Sequence, residues 1–252
     1  MSWHKKSKKV PDLSVHFWII KILSTAMGEA LSDFLVHTID PVVAVLIGAT
    51  GLTVALVIQL RSTSYRPWKY WLTVSMVAVF GTMAADVLHI VIGVPYIVSS
   101  VFFGAALAAI FTLWYTKEKS LSIHSIYTVR REVFYWLTVM ATFALGTATG
   151  DMTAYTLGLG YFASGLLFIS LIAVPALLYL VFQRSEVMMF WAAYILTRPL
   201  GASFADWFGV PRALGGLDVG RGWVSLILII MIIGLVIYTS LAKNDVTQSD
   251  EA

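Results

Sequence analysis

The chain has 252 residues, 59% hydrophobic and only 12% charged, with a mean hydropathy of +0.83. A soluble domain carries about 25% charged residues, so this balance points to a membrane protein. The absence of cysteine excludes disulfides, thiol catalysis and thiolate metal sites, and a formal charge of +3 without any basic–aromatic surface excludes a nucleic-acid partner.

Eight apolar runs follow in chain order, over 17–37, 42–60, 70–91, 96–115, 133–156, 161–182, 188–208 and 223–241. At 1.5 Å rise, about 20 residues cross a hydrocarbon core of roughly 30 Å. The first run follows Lys5, Lys6, Lys8 and Lys9 and superficially resembles a signal peptide, but Lys21, Glu29 and Asp33 interrupt it. It reads as a retained helix. Short turns rich in Pro and Gly join runs one and two, three and four, and five and six; Gly209 to Gly222 joins the last pair.

The odd-numbered runs share a pattern. Trp18, Gly28 and Asp33 recur as Trp71, Gly81 and Asp86, then Trp136, Gly146 and Asp151, then Trp191, Gly201 and Asp206. Glycine follows tryptophan by ten positions and aspartate follows glycine by five in every copy. Such spacing marks an internal repeat. The whole chain, 1–252, therefore reads as one membrane domain with repeats over 16–61, 68–117, 133–184 and 188–243. A basic stretch 1–15, a loop 118–132 and a polar tail 244–252 complete it.

Loops between repeats are basic, with Arg61, Arg66, Lys69, Lys117, Lys119, Arg130, Arg131 and Arg184, and Lys243 follows the last run. The opposite loops hold only Arg212 and Arg221. The positive-inside rule then puts both termini in the cytoplasm. The expected fold class is an all-α integral membrane protein: eight transmembrane helices in four parallel two-helix repeats, pseudo-symmetric about the membrane normal.

Each repeated position has an expected role. Trp18, Trp71, Trp136 and Trp191 are expected to anchor at the headgroup level. Gly28, Gly81, Gly146 and Gly201 each precede a small residue by four positions (Ser32, Ala85, Gly150 and Ala205), which predicts close helix packing. The aspartates lie about 22 Å along the helix from the tryptophans. A carboxylate inside a span costs about 2.5–3.5 kcal/mol, so four of them need a reason. Asp33, Asp86, Asp151 and Asp206, helped by Glu29, are the candidate cation-binding set. Local caps or helix contacts are the plainer explanation.

His37, His89, Thr82, Thr147 and Tyr155 stand one helical turn from these acids and are candidates for a metal or proton relay. Within the spans five acids face two bases, Lys21 and Arg198, leaving −3 if all are charged. These bases are candidate counter-charges, or they snorkel to the interface.

No enzyme motif survives inspection. There is no His-Glu-x-x-His, no Gly-x-Ser-x-Gly and no phosphate-binding glycine loop. Ala148-Thr149-Gly150-Asp151 and Pro175-Ala176-Leu177 approach the motifs of aspartyl intramembrane proteases, but the first glycine is missing and Asp151 is one of four equivalent copies. Proteolysis is a remote alternative, and the chain reads as a non-enzyme without a cofactor.

The phrases FWIIKILSTAMGEALSD, LSIHSIYTVRREVFYWLTVMATFALGTATGD and RPLGASFADWFG resemble a bacterial membrane-protein family built from four two-helix repeats of unknown function, number 347. The resemblance covers essentially the whole chain and implies a multi-pass protein of the bacterial inner membrane, without implying any biochemistry. The Arg130, Arg131 and Glu132 stretch belongs to the resembling phrase; solvated loop charge is its plainer reading. The expected function is a secondary transporter or exporter of a divalent or other small cation, coupled to protons. A scaffold or regulator with structural aspartates is the alternative. The expected partners are the lipid bilayer and a small cation or proton.

Overall fold

The computed structural model describes residues 8–249, with side chains throughout except at Ile90 and 242–249. Lys5 and Lys6, the side chain of Lys243 and the last residues of the polar tail lie outside the described residues. Eight long helices make up the fold: α1 (Val15–Thr38), α2 (Pro41–Leu60), α3 (Pro67–Asp86), α4 (Tyr96–Glu118), α5 (Val129–Asp151), α6 (Gly160–Phe182), α7 (Glu186–Gly209) and α8 (Arg221–Ser249). No strand occurs among the described residues. Helix α8 runs to Ser249, so most of the predicted tail 244–252 continues that helix.

Local chemistry sets the starts. The Ser14 hydroxyl accepts from the Phe17 amide at 3.2 Å, Asp40 accepts from the Val42 and Val43 amides, and Thr128 accepts from Arg131. Pro41 and Pro67 occupy first-turn positions, where a missing N–H costs nothing. Gly93 and Gly158, both at positive φ, turn the chain after the second and third inner helices. The cap at Thr128 brings the end of the predicted 118–132 loop into α5.

Among the described residues, six helices are long and apolar enough to cross a membrane. Helices α1 and α7 are as long, 24 residues each, but carry charge inside: Lys21, Glu29 and Asp33, and Glu186, Arg198 and Asp206. Burial separates two classes. The odd-numbered helices form the interior, while α2, α4, α6 and α8 expose rows of Val, Leu, Ile and Phe. Exposed apolar area on this scale requires a lipid or protein cover, and the chain is a helical membrane protein.

The odd-numbered helices close into a ring in the order α1, α3, α5, α7 and back to α1. The outer helices follow a permuted rule: α2 packs on α3, α4 on α5, α6 on α7, and α8 on α1. Each outer helix thus braces the next copy more than its own, and α8 closes the circle.

Side chains repeat that cycle. The aromatic residue before each tryptophan packs on the next copy's tryptophan: Phe17 on Trp71 at 5.7 Å, Tyr70 on Trp136 at 5.5 Å, Tyr135 on Trp191 at 6.1 Å, and Phe190 on Trp18 at 5.7 Å between ring centroids. The glycines do likewise. Gly28 meets Ala78, Gly81 meets Phe143, Gly146 meets Arg198 and Gly201 meets Thr25, in every case the residue three before the next glycine. A Cβ on Gly201 would lie 2.8 Å from the Ala26 nitrogen, so the small residue is sterically required.

The tryptophan expectation needs correction. Trp71, Trp136 and Trp191 are buried in the ring, not laid at a lipid interface, and Trp18 is partly buried against the same core. They share a helix face with the inward-turned glycines.

Candidate functional site

Counting each inner helix from its glycine sorts the polar residues into layers. One position after the glycine stand Glu29, Thr82, Thr147 and Ala202. Arg198 of α7 reaches into this layer. Its Nη2 donates to the Glu29 carboxylate, to Thr82 Oγ1 at 2.5 Å and to Thr147 Oγ1 at 2.8 Å. One guanidinium nitrogen therefore ties equivalent positions of three copies together. Arg198 and Glu29 are both buried, and such a pair is tolerated only where charge is met by charge and hydrogen bonds fill the remaining lone pairs.

Lys21 lies one layer nearer the tryptophans and is also fully buried. Its Nζ sits 4.2 Å from the Phe143 ring centroid and 4.3 Å from that of Tyr194, with no hydrogen-bond partner. Neither base snorkels, because both are enclosed on every side by the inner helices. Arg198 pairs with Glu29, whereas Lys21 is held by ring faces.

Five positions after the glycine come the aspartates. They meet in two groups. Oxygen atoms of Glu29, Asp33 and Asp206 lie within 4.8 Å of one another, and so do ligand atoms of Asp86, His89 and Asp151. Both groups stand at the end of the inner ring away from the tryptophans. Copies one and four form the first group, copies two and three the second.

The groups differ in their surroundings. Arg221, at the start of α8, contacts the Asp33 carboxylate through Nε at 2.8 Å. No Lys or Arg salt bridge reaches Asp86 or Asp151 among the described residues; His89 Nδ1 lies 3.9 Å from Asp151. Directly after Asp86 and Asp151 the helix widens into π turns, Val87–Val91 and Met152–Thr156. Such bulges redirect side chains and are frequent at functional sites. The first and fourth copies continue as α-helix past their aspartates.

The other candidates divide. Thr82 and Thr147 serve Arg198, not an aspartate. His37 stays outside the trios: its Nδ1 lies 2.7 Å from the Asp33 carbonyl on its own helix, in an exposed position. Tyr155 bonds the Tyr161 hydroxyl at 2.5 Å and stacks on Tyr96, walling the Asp86–Asp151 side.

Two features escaped sequence reasoning. Arg221, which the sequence places in a loop, meets an acid of the ring. At the tryptophan end Glu132 is fully buried, bound by Lys9 Nζ at 2.6 Å and by Gln59 Nε2 at 2.8 Å. The solvated-loop reading fails for Glu132 because α5 begins at Val129, which puts Glu132 one turn before Trp136 on the same inward face. Lys8 and Lys9 are likewise built in: the Lys9 amide donates to Ile126 and the Tyr65 amide to Lys8.

The model described as Repeat of Unknown Function (DUF347) matches residues 16–65, 69–120, 134–185 and 189–245. The chain belongs to this family. Comparison with curated proteins and with solved structures found no match. The four matched units coincide with the four inner–outer helix pairs, so the family's repeat is the unit whose glycine and aspartate build the ring.

Proposed function

We propose that this family member is a secondary transporter that moves a small cation through the acidic end of its inner ring. Its eight helices all span a bacterial inner membrane, as four parallel repeats about the membrane normal with both termini in the cytoplasm. The basic loops join the tryptophan ends of the inner helices, which favours that end as cytoplasmic. One observation carries the reading: carboxylates from all four copies gather at one end of the inner ring. Ionised carboxylates within hydrocarbon are retained where they meet ions or protons. Proton exchange on the aspartates would couple the cycle, with Arg198 and Glu29 as the fixed partition between the acidic end and the Tyr70–Tyr135 end.

A scaffold without transport has one point in its favour: Glu29 and Asp33 already hold helices together through Arg198 and Arg221. Proteolysis by Asp86 and Asp151 is disfavoured, because Asp33 and Asp206 repeat the pairing in the other half. We read the chain as a carrier and not an enzyme.

Purified protein in liposomes loaded with a cation-sensitive dye tests this. Asp86→Asn should abolish cation flux while the protein still inserts and melts as a folded species. Unaltered flux would remove the transport reading. A lowered melting temperature with no flux in either protein would favour the scaffold.

A further inference from the structure

We propose that Asp86, His89 and Asp151 form a binding site for a divalent first-row transition cation. The assignment rests on the transport reading and names the substrate class of that site.

The imidazole carries the inference. The His89 side chain is 3% exposed, and its Nε2 lies 2.6 Å from Ser99 Oγ. That hydroxyl faces the carbonyls of Tyr96 at 3.1 Å and Pro95 at 3.4 Å, to which it donates. Donating there, it accepts from Nε2–H, in the tautomer that leaves Nδ1 without a proton. Nδ1 then presents a lone pair. It has no hydrogen-bond partner and faces the Asp151 carboxylate at 3.9 Å. A lone pair turned towards carboxylate oxygen in a buried site is repulsive unless a cation or a proton lies between them. A buried imidazole whose second nitrogen is oriented by a neighbouring oxygen is the usual arrangement of a metal ligand.

The surroundings agree. The π turn after Asp86 sets His89 beside its own aspartate and across from Asp151 of the next copy. Ligand atoms on one ion with bonds of about 2.1 Å stand at most about 4.2 Å apart, so a trio within 4.8 Å is slightly open and needs only a small closure. Tyr96 packs on the His89 ring at 4.5 Å between centroids and holds its plane. Two carboxylates select a hard or borderline ion, and the imidazole moves the preference from Mg2+ and Ca2+ towards Mn2+, Fe2+, Co2+ and Zn2+. The other trio lacks an imidazole and holds Arg221 against Asp33, so it is the poorer metal site.

The test is Mn2+ binding to the full chain in detergent, followed by electron paramagnetic resonance, with Zn2+ and Mg2+ as competitors. Wild type should bind one Mn2+ per chain, displaced by Zn2+ and much less by Mg2+. His89→Ala and Asp151→Asn should each weaken binding at least tenfold. Ser99→Ala, which touches no ion, should weaken it about tenfold through loss of imidazole orientation. Asp206→Asn should leave it within about threefold, since Asp206 belongs to the other trio and offers no ligand to this one. Equal binding by wild type and His89→Ala overturns the site, as does its absence from folded wild type. Should His89→Ala fail to fold, unchanged binding by Ser99→Ala overturns it.

Flux in liposomes separates this from the transport reading. Mn2+ bound but never moved leaves the site and removes the carrier. Flux of another cation that survives His89→Ala but not Asp86→Asn keeps the carrier and removes the metal.

Discussion

The two ends of the inner ring obey different symmetries. At the tryptophan end four aromatic steps close a fourfold cycle, from Phe17–Trp71 round to Phe190–Trp18. At the aspartate end the same four copies split into pairs, Asp33 with Asp206 and Asp86 with Asp151. Apolar contacts are short-ranged and attractive, so identical residues can be repeated round an axis without penalty. Identical charges cannot: two unit charges 4 Å apart repel by about 4 kcal/mol at an effective dielectric of 20. At the acidic end this repulsion is offset where Arg221 meets Asp33 and Arg198 meets Glu29, and the two middle copies turn into π helix directly after their aspartates. Between the ends, the layer after the glycine breaks symmetry in sequence, with one glutamate, two threonines and an alanine around a single arginine.

The largest effect should come from the point where symmetry breaks. Arg198→Met removes the partner of buried Glu29 and two threonine bonds together. Losing one member of a buried pair costs about 3–5 kcal/mol. Thermal unfolding in detergent should show the largest drop of any single variant here. Adding Glu29→Gln should recover part of the loss. A melting temperature equal to wild type would mean that the central layer does not hold the ring together.

The glycines test the fourfold cycle itself. Gly201→Ala drives a methyl group into Thr25 and Ala26 of α1, and Gly28→Ala into the backbone of Ala78. Overpacking of this kind costs about 1–3 kcal/mol. Both should be destabilised to a similar extent, whereas alanine at Gly234 of α8, where nothing stands within 4 Å, should be neutral or slightly stabilising. A large gap between Gly28→Ala and Gly201→Ala would show that the cycle is closed more tightly on one side.

At the tryptophan end, Glu132→Gln keeps a hydrogen-bonding group beside Gln59 and cancels the charge facing Lys9. Hydrogen bonds to charged groups are worth about 1.5–3 kcal/mol, and the loss here should fall at the lower end because glutamine still pairs. Flux should be unchanged if this lock only fastens the N-terminal stretch. Flux that rises while the melting temperature falls would make the lock a gate.

How much of this was legible depends on which force fixed each feature. Trp, Gly and Asp at fixed spacing are visible in any copy. At about 100° per residue the glycine lies about 80° to one side of the tryptophan and the aspartate about 60° to the other, so all three share one half of the helix. That wheel already turns Trp71, Trp136 and Trp191 inward; reading them as lipid anchors set a statistical habit of tryptophan above the helix geometry. Arg198 and Glu29 were visible as opposite charges in the spans, but not as partners, because the pairing needs the order of helices round the ring. That order, with α8 braced on α1, follows from shape complementarity between copies and has no signal in a single repeat. Glu132 could have been recovered from the Thr128 cap, which starts the helix early enough to put it in line with Trp136. Arg221 could have been noticed as one of two bases on the acidic side.

Replacing Arg221 costs little stability and bears most directly on why the two acidic halves differ. Its contact with Asp33 is partly exposed, with side chains 27% and 16% accessible, so Arg221→Gln should cost below about 1 kcal/mol. The electrical change is larger than the mechanical one. Without that guanidinium the Glu29–Asp33–Asp206 half carries one more net negative charge and resembles the half that holds His89, except for the imidazole. If charge alone distinguishes the halves, Arg221→Gln should let a second Mn2+ bind per chain. If the imidazole decides, the stoichiometry should stay at one while Ca2+ binding to the altered half strengthens, because an all-carboxylate site favours the harder ion.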